Sequence, residues 1–131
     1  QIIEETFYTK TYCQNRIMGL ALTKSRLHSD GKCISSVITK EEMQQYGVLP
    51  KHLDGIVSQL RITKDVEVAV FLYEEETGGY KVSMRSKECV DVAAVAMLHG
   101  GGGHKRASGC SMAGDADEII ATIVREVEEQ L

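Results

Sequence analysis

The chain has 131 residues, of which 43% are hydrophobic and 26% are charged, a composition that fits one ordinary globular domain with a single core. No segment is apolar over the length of a membrane span, and the acidic residues 1–5 do not form a signal-peptide pattern, so we expect no membrane partner. The net charge of −4 argues against a broad basic face for duplex DNA, so that any anion site has to be local.

The four cysteines, Cys13, Cys33, Cys89 and Cys110, are far apart and lack the close pairs of a zinc site. Cys13 and Cys33 fall in apolar segments, where a free thiol serves as a small hydrophobic side chain. This usage favours a reducing, cytoplasmic location, although an even number of cysteines is also compatible with disulfides.

The first half of the chain predicts three helices and a strand. Residues near 10–27 form the first helix, with apolar residues at helical spacing up to Leu27. A strand follows in 32–39, and the Thr39–Glu42 spacing is that of a capping box, which opens a short helix ending at Gly47. The third helix has an apolar face made of Leu53, Ile56, Val57 and Leu60.

The second half begins with the nearly continuous apolar run 66–73, which predicts a strand buried on both faces. After a turn at 77–79, residues 80–86 alternate strictly, so that Tyr80, Val82 and Met84 face one side and Lys81, Ser83 and Arg85 face the other. A helix near 90–98 and a short strand near 108–112 come next.

A capping pair, Asp115 and Glu118, opens the last helix. Its predicted inner face comprises Ile119, Ile120, Ile123, Val124, Val127 and Leu131. The order of elements predicts an α/β (α+β) domain, in which helices flank a mixed sheet of about four or five strands.

The most informative motif is the glycine run Gly100–Gly103, followed by His104, Lys105 and Arg106. Without side chains, the backbone can touch a ligand and its N–H groups can converge on an anion. The alternative is an ordinary turn in which Gly100 ends the helix. One glycine suffices for that role, so the three others favour the ligand-binding interpretation.

The polar face of strand 80–86 is predicted to meet this run, because the following helix carries the chain back toward it. Arg85 is then a bidentate phosphate ligand that faces the glycine amides, and a solvated strand position is an equally weighted alternative. For Lys81 and Arg106 the solvated interpretation is favoured. His104 is a candidate for phosphate contact or proton transfer, and Lys105 adds positive charge.

Catalytic groups are missing from the sequence pattern. A two-metal hydrolytic site needs a cluster of Asp and His ligands, and no such cluster is found. A serine nucleophile motif is missing as well. The sequence therefore predicts a chain that binds a phosphate but has no evident means of cleaving one.

Residues 82–86, 90–96 and 100–110 together resemble the C-terminal, DHH-associated domain of the DHH phosphoesterases. The similarity is greatest to the nano-RNase and pAp phosphatase branch, which is also called exopolyphosphatase-related. Segments 25–27 and 37–39 and the strand from Val66 also fit that domain. The resemblance therefore implies that 1–131 is a single substrate-binding domain, with 1–10 as a linker or the start of the first helix.

In that family an N-terminal DHH domain holds two manganese ions and faces the C-terminal domain across a substrate cleft. The resemblance implies that the substrate-binding residues are Arg85, Ser86, Gly101, Gly102, Gly103 and His104. It assigns no catalytic residue, metal ligand or cofactor to this chain, because the DHH domain is absent from it. The implied partners are a nucleotide or short RNA and the chain's own DHH domain, and a homodimer is left open.

We therefore expect the substrate-binding half of a manganese-dependent phosphoesterase that acts on short RNA or on adenosine 3′,5′-bisphosphate, with this half inactive alone. One alternative is a nucleic-acid-binding module similar to the C-terminal domain of alanyl-tRNA synthetases, against which the acidic net charge weighs. Another is the corresponding half of a cyclic dinucleotide or polyphosphate hydrolase.

Overall fold

The computed structural model describes residues 10–131 of the chain. The helices are α1 (Tyr12–Lys24), α2 (Lys40–Tyr46), α3 (Ile56–Arg61), α4 (Val92–Met97) and α5 (Ala116–Glu128), and a 3₁₀ helix spans Pro50–Leu53. The strands are β1 (Arg26–His28), β2 (Cys33–Ile38), β3 (Val68–Glu74), β4 (Tyr80–Ser86), β5 (Gly102–His104) and β6 (Ala107–Met112).

Within residues 10–131 the strands form one six-stranded sheet in the order β1-β2-β3-β4-β6-β5. Strands β2 and β3 are parallel, and α2, the 3₁₀ helix and α3 form the connection between them. The other neighbouring strands are antiparallel. The sheet is therefore mixed, as predicted, with one or two strands more than expected.

Each face of the sheet has its own apolar core. On one face, α1, α2 and α3 pack on β2 and β3 through residues such as Ile17, Leu60 and Phe71. On the other face, α4 and α5 pack against residues that include Val70 and Met84. Strand β3 lies between the two cores and is buried from Val68 to Leu72, which confirms the prediction made from its continuous apolar sequence.

The helices α1–α3 cover β2 and β3, and α3 also reaches β4. The side chains of the next strand, β4, alternate between the two faces of the sheet. Val82 and Met84 are buried in the core of the other face, whereas Lys81, Ser83 and Arg85 are half-buried on this one. The part of this face formed by β4, β6 and β5 is thus the accessible surface on which a site can be built.

Several local predictions are confirmed. Thr39 caps α2 and exchanges both capping-box hydrogen bonds with Glu42, and Gly47 ends the helix with a φ of 68°. Asp115 caps α5 through the amide of Glu118. The alternation of β4 is as predicted, and β2 lies inside the predicted range.

Other predictions are wrong. The first helix ends at Lys24, because Ser25 is extended and the chain continues into β1, where Leu27 is 60% exposed instead of facing a helical core. The third predicted helix is divided into the 3₁₀ helix and α3 by Gly55, with a φ of 94°. Leu131 follows α5 and is 49% exposed, so it is not part of the inner face.

The prediction that residues 1–10 are a linker or the start of the first helix concerns residues 1–9, which lie outside the described residues, and Lys10, which precedes α1. Among the helices that are described, none has the length and apolarity needed to cross a membrane.

Candidate phosphate-binding face

Strand register places Arg85 and His104 on the same face of the sheet. Arg85 of β4 pairs with Ala107 of β6, and Ala107 pairs with His104 of β5. Cross-strand partners project to the same side, and neighbouring strands lie about 4.8 Å apart. The two backbones are therefore about 10 Å apart with only a methyl group between them, a gap that an arginine and a histidine can close around one phosphate.

In the next two rows of this face, the residues that β6 and β5 contribute are small as well. Ser83 pairs with Gly109, which pairs with Gly102, and Lys81 pairs with Ser111. At Gly102 an added Cβ would have no atom within 4 Å, so this position opens onto free space. The result is a shallow trough with a backbone floor between β4 and β5, open at Gly102, with the Lys81 ammonium reaching over Gly109.

The glycine run itself is neither a loop nor a plain turn, because Gly102 and Gly103 belong to the edge strand β5. Gly100 lies in the turn after α4, which ends at Met97; its φ is 81° and its N–H donates to the carbonyl oxygen of Met97. At Gly101 a Cβ would lie 2.1 Å from the carbonyl oxygen of Gly109, and at Gly103 it would lie 2.6 Å from that of Ala107. Three of the glycines are thus required by the backbone, and Gly102 alone is free to serve a ligand.

Arg85 does not face the glycine amides directly, since β6 lies between β4 and β5. Its Nη1 donates to the carbonyl of Met84 at 3.0 Å. Within residues 10–131 no carboxylate forms an ion pair with either Arg85 or Lys81. Both cations are therefore available to an anionic ligand.

A cleft of about 340 Å³ lies between β4 and the segment that contains the 3₁₀ helix and α3. Its volume is in the range of small-molecule sites. The residues that line it are Pro50, Lys51, Leu53, Asp54, Gly55, Val57, Phe71, Tyr73, Lys81, Ser83 and Arg85. Three cations face one carboxylate there, so the cleft is positive although the chain is acidic.

Tyr73 supplies the aromatic surface of this cleft. Burial raises the pKa of its phenol, and the nearby carboxylates Glu75 and Asp54 raise the pKa further. The hydroxyl therefore remains a proton donor at neutral pH, and the ring offers a half-buried face on which a base can stack.

Not every predicted site residue is brought to this face. Ser86 is fully buried, and its hydroxyl donates within the protein, at 2.7 Å from the carbonyl oxygen of Val90. The Lys105 side chain is exposed in the turn between β5 and β6. Arg106, predicted to be solvated, is half-buried and bonded to Ser86 and Val90.

The remaining histidines have protein partners. His28 lies in β1, with its Nε2 2.7 Å from the Ser35 hydroxyl, and burial, followed by the charge of Arg26, lowers the pKa of its imidazole. His52 accepts the N–H of Leu49. His99 follows α4, and its Nε2 lies 2.8 Å from a carboxylate oxygen of Glu126.

Sequence reasoning missed the wall of the cleft opposite β4, which carries Lys51 and Asp54, and it gave no role to Tyr73, which lies beside β4 on strand β3. Neither a motif nor a periodicity marks Lys51 and Asp54, because they reach the cleft only when the crossover between β2 and β3 folds back. Among the described residues, no three His, Cys, Asp or Glu side chains are grouped closely enough to hold a metal ion. No residue of this face is therefore assigned to a metal.

The chain is similar to several known proteins. The family model of the DHHA1 domain matches residues 30–130. A curated relative, the bifunctional oligoribonuclease and PAP phosphatase NrnA of Thermus thermophilus, is 30% identical over 117 residues. That alignment covers 88% of this chain and 34% of the relative, so the chain spans about a third of that protein's length.

Two solved structures share the fold. An exopolyphosphatase-related protein from Bacteroides fragilis superposes with a TM-score of 0.88 at 26% identity, over 97% of this chain and 38% of that one. The pGpG-specific phosphodiesterase PggH from Vibrio cholerae superposes with a TM-score of 0.67 at 12% identity, over 91% of this chain and 40% of that one. Because the family model covers most of the chain, the chain belongs to the DHHA1 domain family.

Proposed function

We propose that this chain is the substrate-binding part of a phosphoesterase that acts on very short RNA or on adenosine 3′,5′-bisphosphate. The row Arg85–Ala107–His104 carries the proposal, because it puts a guanidinium and an imidazole on one accessible face. The guanidinium provides a planar fork for two phosphate oxygens. His104 contacts the phosphate from the other side, and Gly102, two residues before it on β5, lets the phosphate approach the strand backbone.

The 340 Å³ cleft beside this row supports a nucleotide ligand. Tyr73 and the apolar neighbours of β3 offer a surface for a base, while Lys81 and Arg85 attract the phosphate. A polyphosphate chain has no part that needs an aromatic surface. This feature favours a nucleotide over polyphosphate as substrate.

The net charge of −4 and the small size of the positive cleft support a small ligand over tRNA. The similarity to NrnA, named as an oligoribonuclease and PAP phosphatase, supports the same substrate class. We assign bond cleavage to a DHH domain with two manganese ions elsewhere in the parent protein, because the described residues do not fit a metal site. The role of this chain is to bind the nucleotide and orient its phosphate.

Replacement of Arg85 by alanine tests the proposal. Arg85→Ala should weaken the binding of adenosine 3′,5′-bisphosphate by about 1.5–3 kcal/mol, the contribution of a hydrogen bond to a charged group. Arg125→Ala removes the same type of charge from an exposed position of α5 and should leave binding unchanged. Titration followed by NMR gives both affinities. Equal affinities of Arg85→Ala and the wild-type chain would contradict the proposal.

A further inference from the structure

We propose that Ser86 and Arg106 are positioning residues, which join the end of β4 to the turn between β5 and β6 and so hold His104 at a fixed place relative to Arg85. The expected effect of these residues on ligand binding rests on the proposed function. It differs from the expectation drawn from family resemblance, in which Ser86 touches the substrate.

The side chains of the two residues are bonded to each other and to the backbone. Nη1 of Arg106 donates to the hydroxyl oxygen of Ser86 at 3.1 Å and to the carbonyl oxygen of Val90 at 2.5 Å. The Ser86 hydroxyl lies 2.7 Å from the same Val90 carbonyl and 3.2 Å from that of Lys105. Its single proton serves one of these acceptors at a time.

Backbone hydrogen bonds fasten the same turn. The N–H of Ser86 donates to the carbonyl of Arg106 at 3.1 Å, and the N–H of Val92 donates to the carbonyl of Lys105 at 2.9 Å. Both carbonyls of the turn are thus held, one by the end of β4 and one by the start of α4. Since Ser86 is fully buried, these bonds form away from water, where a missing partner is costly.

The residues at the two ends of this hydrogen-bond network are sequence neighbours of Arg85 and His104, the two residues proposed to bind the phosphate. Ser86 follows Arg85 in β4, and Lys105 follows His104 at the end of β5. Among the described residues β5 pairs with β6 alone, so the strand ladder restrains His104 on one side only. A shift of the turn would therefore move His104 while Arg85 stays in the sheet.

The arrangement also explains why Arg106 belongs to a basic run without acting as a surface cation. Its guanidinium is half-buried and hydrogen-bonded to Ser86 and Val90.

A direct ligand contact and a positioning role predict different effects of salt on the affinity for the nucleotide. Loss of a cation that touches a phosphate weakens the dependence of affinity on salt, whereas loss of a positioning bond lowers affinity to the same extent at every salt concentration.

The experiment compares Arg106→Met, Ser86→Ala and the double variant with Arg85→Ala and Arg125→Ala in the 131-residue chain. Each is titrated with adenosine 3′,5′-bisphosphate by NMR at low and high salt, below its melting temperature. We expect each single substitution at Ser86 or Arg106 to weaken binding about fivefold, and the double variant to lose no more, because both act through one network. The salt dependence should remain that of the wild type, and the amide resonances of His104 and Lys105 should shift.

The inference is overturned if the losses are additive and the salt dependence falls as it does in Arg85→Ala, since Arg106 would then contact the ligand. It is also overturned if affinity and the His104 amide are both unchanged. If the wild-type chain does not bind the nucleotide, the proposed function fails, and the amide shifts alone decide the positioning role. If Ser86→Ala does not fold, Arg106→Met decides the positioning role, because Arg106 is partly exposed and methionine keeps its unbranched stem.

Discussion

At the scale of single residues, the glycines show that one sequence motif can serve two purposes. Gly101 and Gly103 are glycine because β5 lies against the backbone of β6, whereas Gly102 is glycine with nothing beside it. The pattern of the sequence cannot separate these cases, since glycine has no side chain whose type could indicate a role. The contacts of a hypothetical Cβ do separate them.

A matched pair of substitutions follows from this difference. Gly101→Ala puts a methyl group 2.1 Å from the carbonyl oxygen of Gly109 and should reduce the free energy of unfolding by about 1–3 kcal/mol. Gly102→Ala meets no atom and should leave stability within about 0.5 kcal/mol, yet weaken nucleotide binding. Thermal melts and an NMR titration measure both effects. Comparable destabilisation by the two variants would contradict the assignment.

His104 is the residue with the clearest expected effect on turnover in the parent enzyme. If its imidazole contacts the phosphate being cleaved, His104→Ala should lower kcat by about 100-fold or more, the usual cost of removing one donor to a developing charge. His104→Gln keeps a hydrogen-bond donor and should recover part of the loss. Because His104 is exposed, melting temperatures should not change. Unchanged kinetics, or an unfolded alanine variant, would remove the histidine from the proposed site.

At the scale of elements, the predictions were best where side chains alternate or repeat. The alternation of residues 80–86 predicted β4 with the correct faces, and capping pairs predicted where α2 and α5 begin. Strand β5 was missed because glycine has a low strand propensity, and the neighbouring backbone of β6 overrides it. Arg85 and His104 were predicted from chemistry, but their separation by β6 depends on strand order, which a sequence pattern does not contain.

The segment between β4 and α4 is held by one carboxylate. Glu67 accepts the N–H groups of Glu88, Cys89 and Val90 at 3.0, 2.7 and 3.0 Å. Burial raises the pKa of Glu67, but the hydrogen bonds from these amides outweigh burial, so the pKa is lowered. The carboxylate form is thus bound more strongly by the folded chain than by the unfolded one.

The sign of the pH dependence follows. An unfolded glutamate titrates at about pH 4.3, so the stabilisation by Glu67 is complete above that pH and is lost as the pH falls through the lower pKa of the folded state. Glu67→Gln should reduce the free energy of unfolding by about 1 kcal/mol at neutral pH. The difference in the free energy of unfolding between Glu67→Gln and the wild type should become smaller at acidic pH. Chemical denaturation across pH measures it, with exposed Glu76→Gln as the control, and a difference independent of pH would refute this role.

At the scale of the whole molecule, the chain is about a third of the length of NrnA, and its proposed site is a shallow face rather than an enclosed cavity. We expect the chain alone to bind a mononucleotide weakly, in the range of about 0.1–1 mM, because the proposal assigns the other side of the substrate cleft to the DHH domain of the parent protein. It should show no manganese-dependent phosphodiesterase activity. Calorimetry and a dinucleotide hydrolysis assay test these statements. A nanomolar dissociation constant, or metal-dependent turnover by the pure chain, would show that this part is sufficient.

The position of β5 at the edge of the sheet has a consequence for motion. Arg85 lies in β4, which has a strand on either side, whereas β5 is three residues long and has a strand on one side within the described residues. Short edge strands open by local fluctuation far more often than interior strands. Amide hydrogens at residues 102–104 should therefore exchange with solvent faster than those of β4. The two halves of the proposed site should therefore differ in local stability: Arg85 lies in an interior strand, whereas the position of His104 at the sheet edge depends on the turn that Ser86 and Arg106 hold.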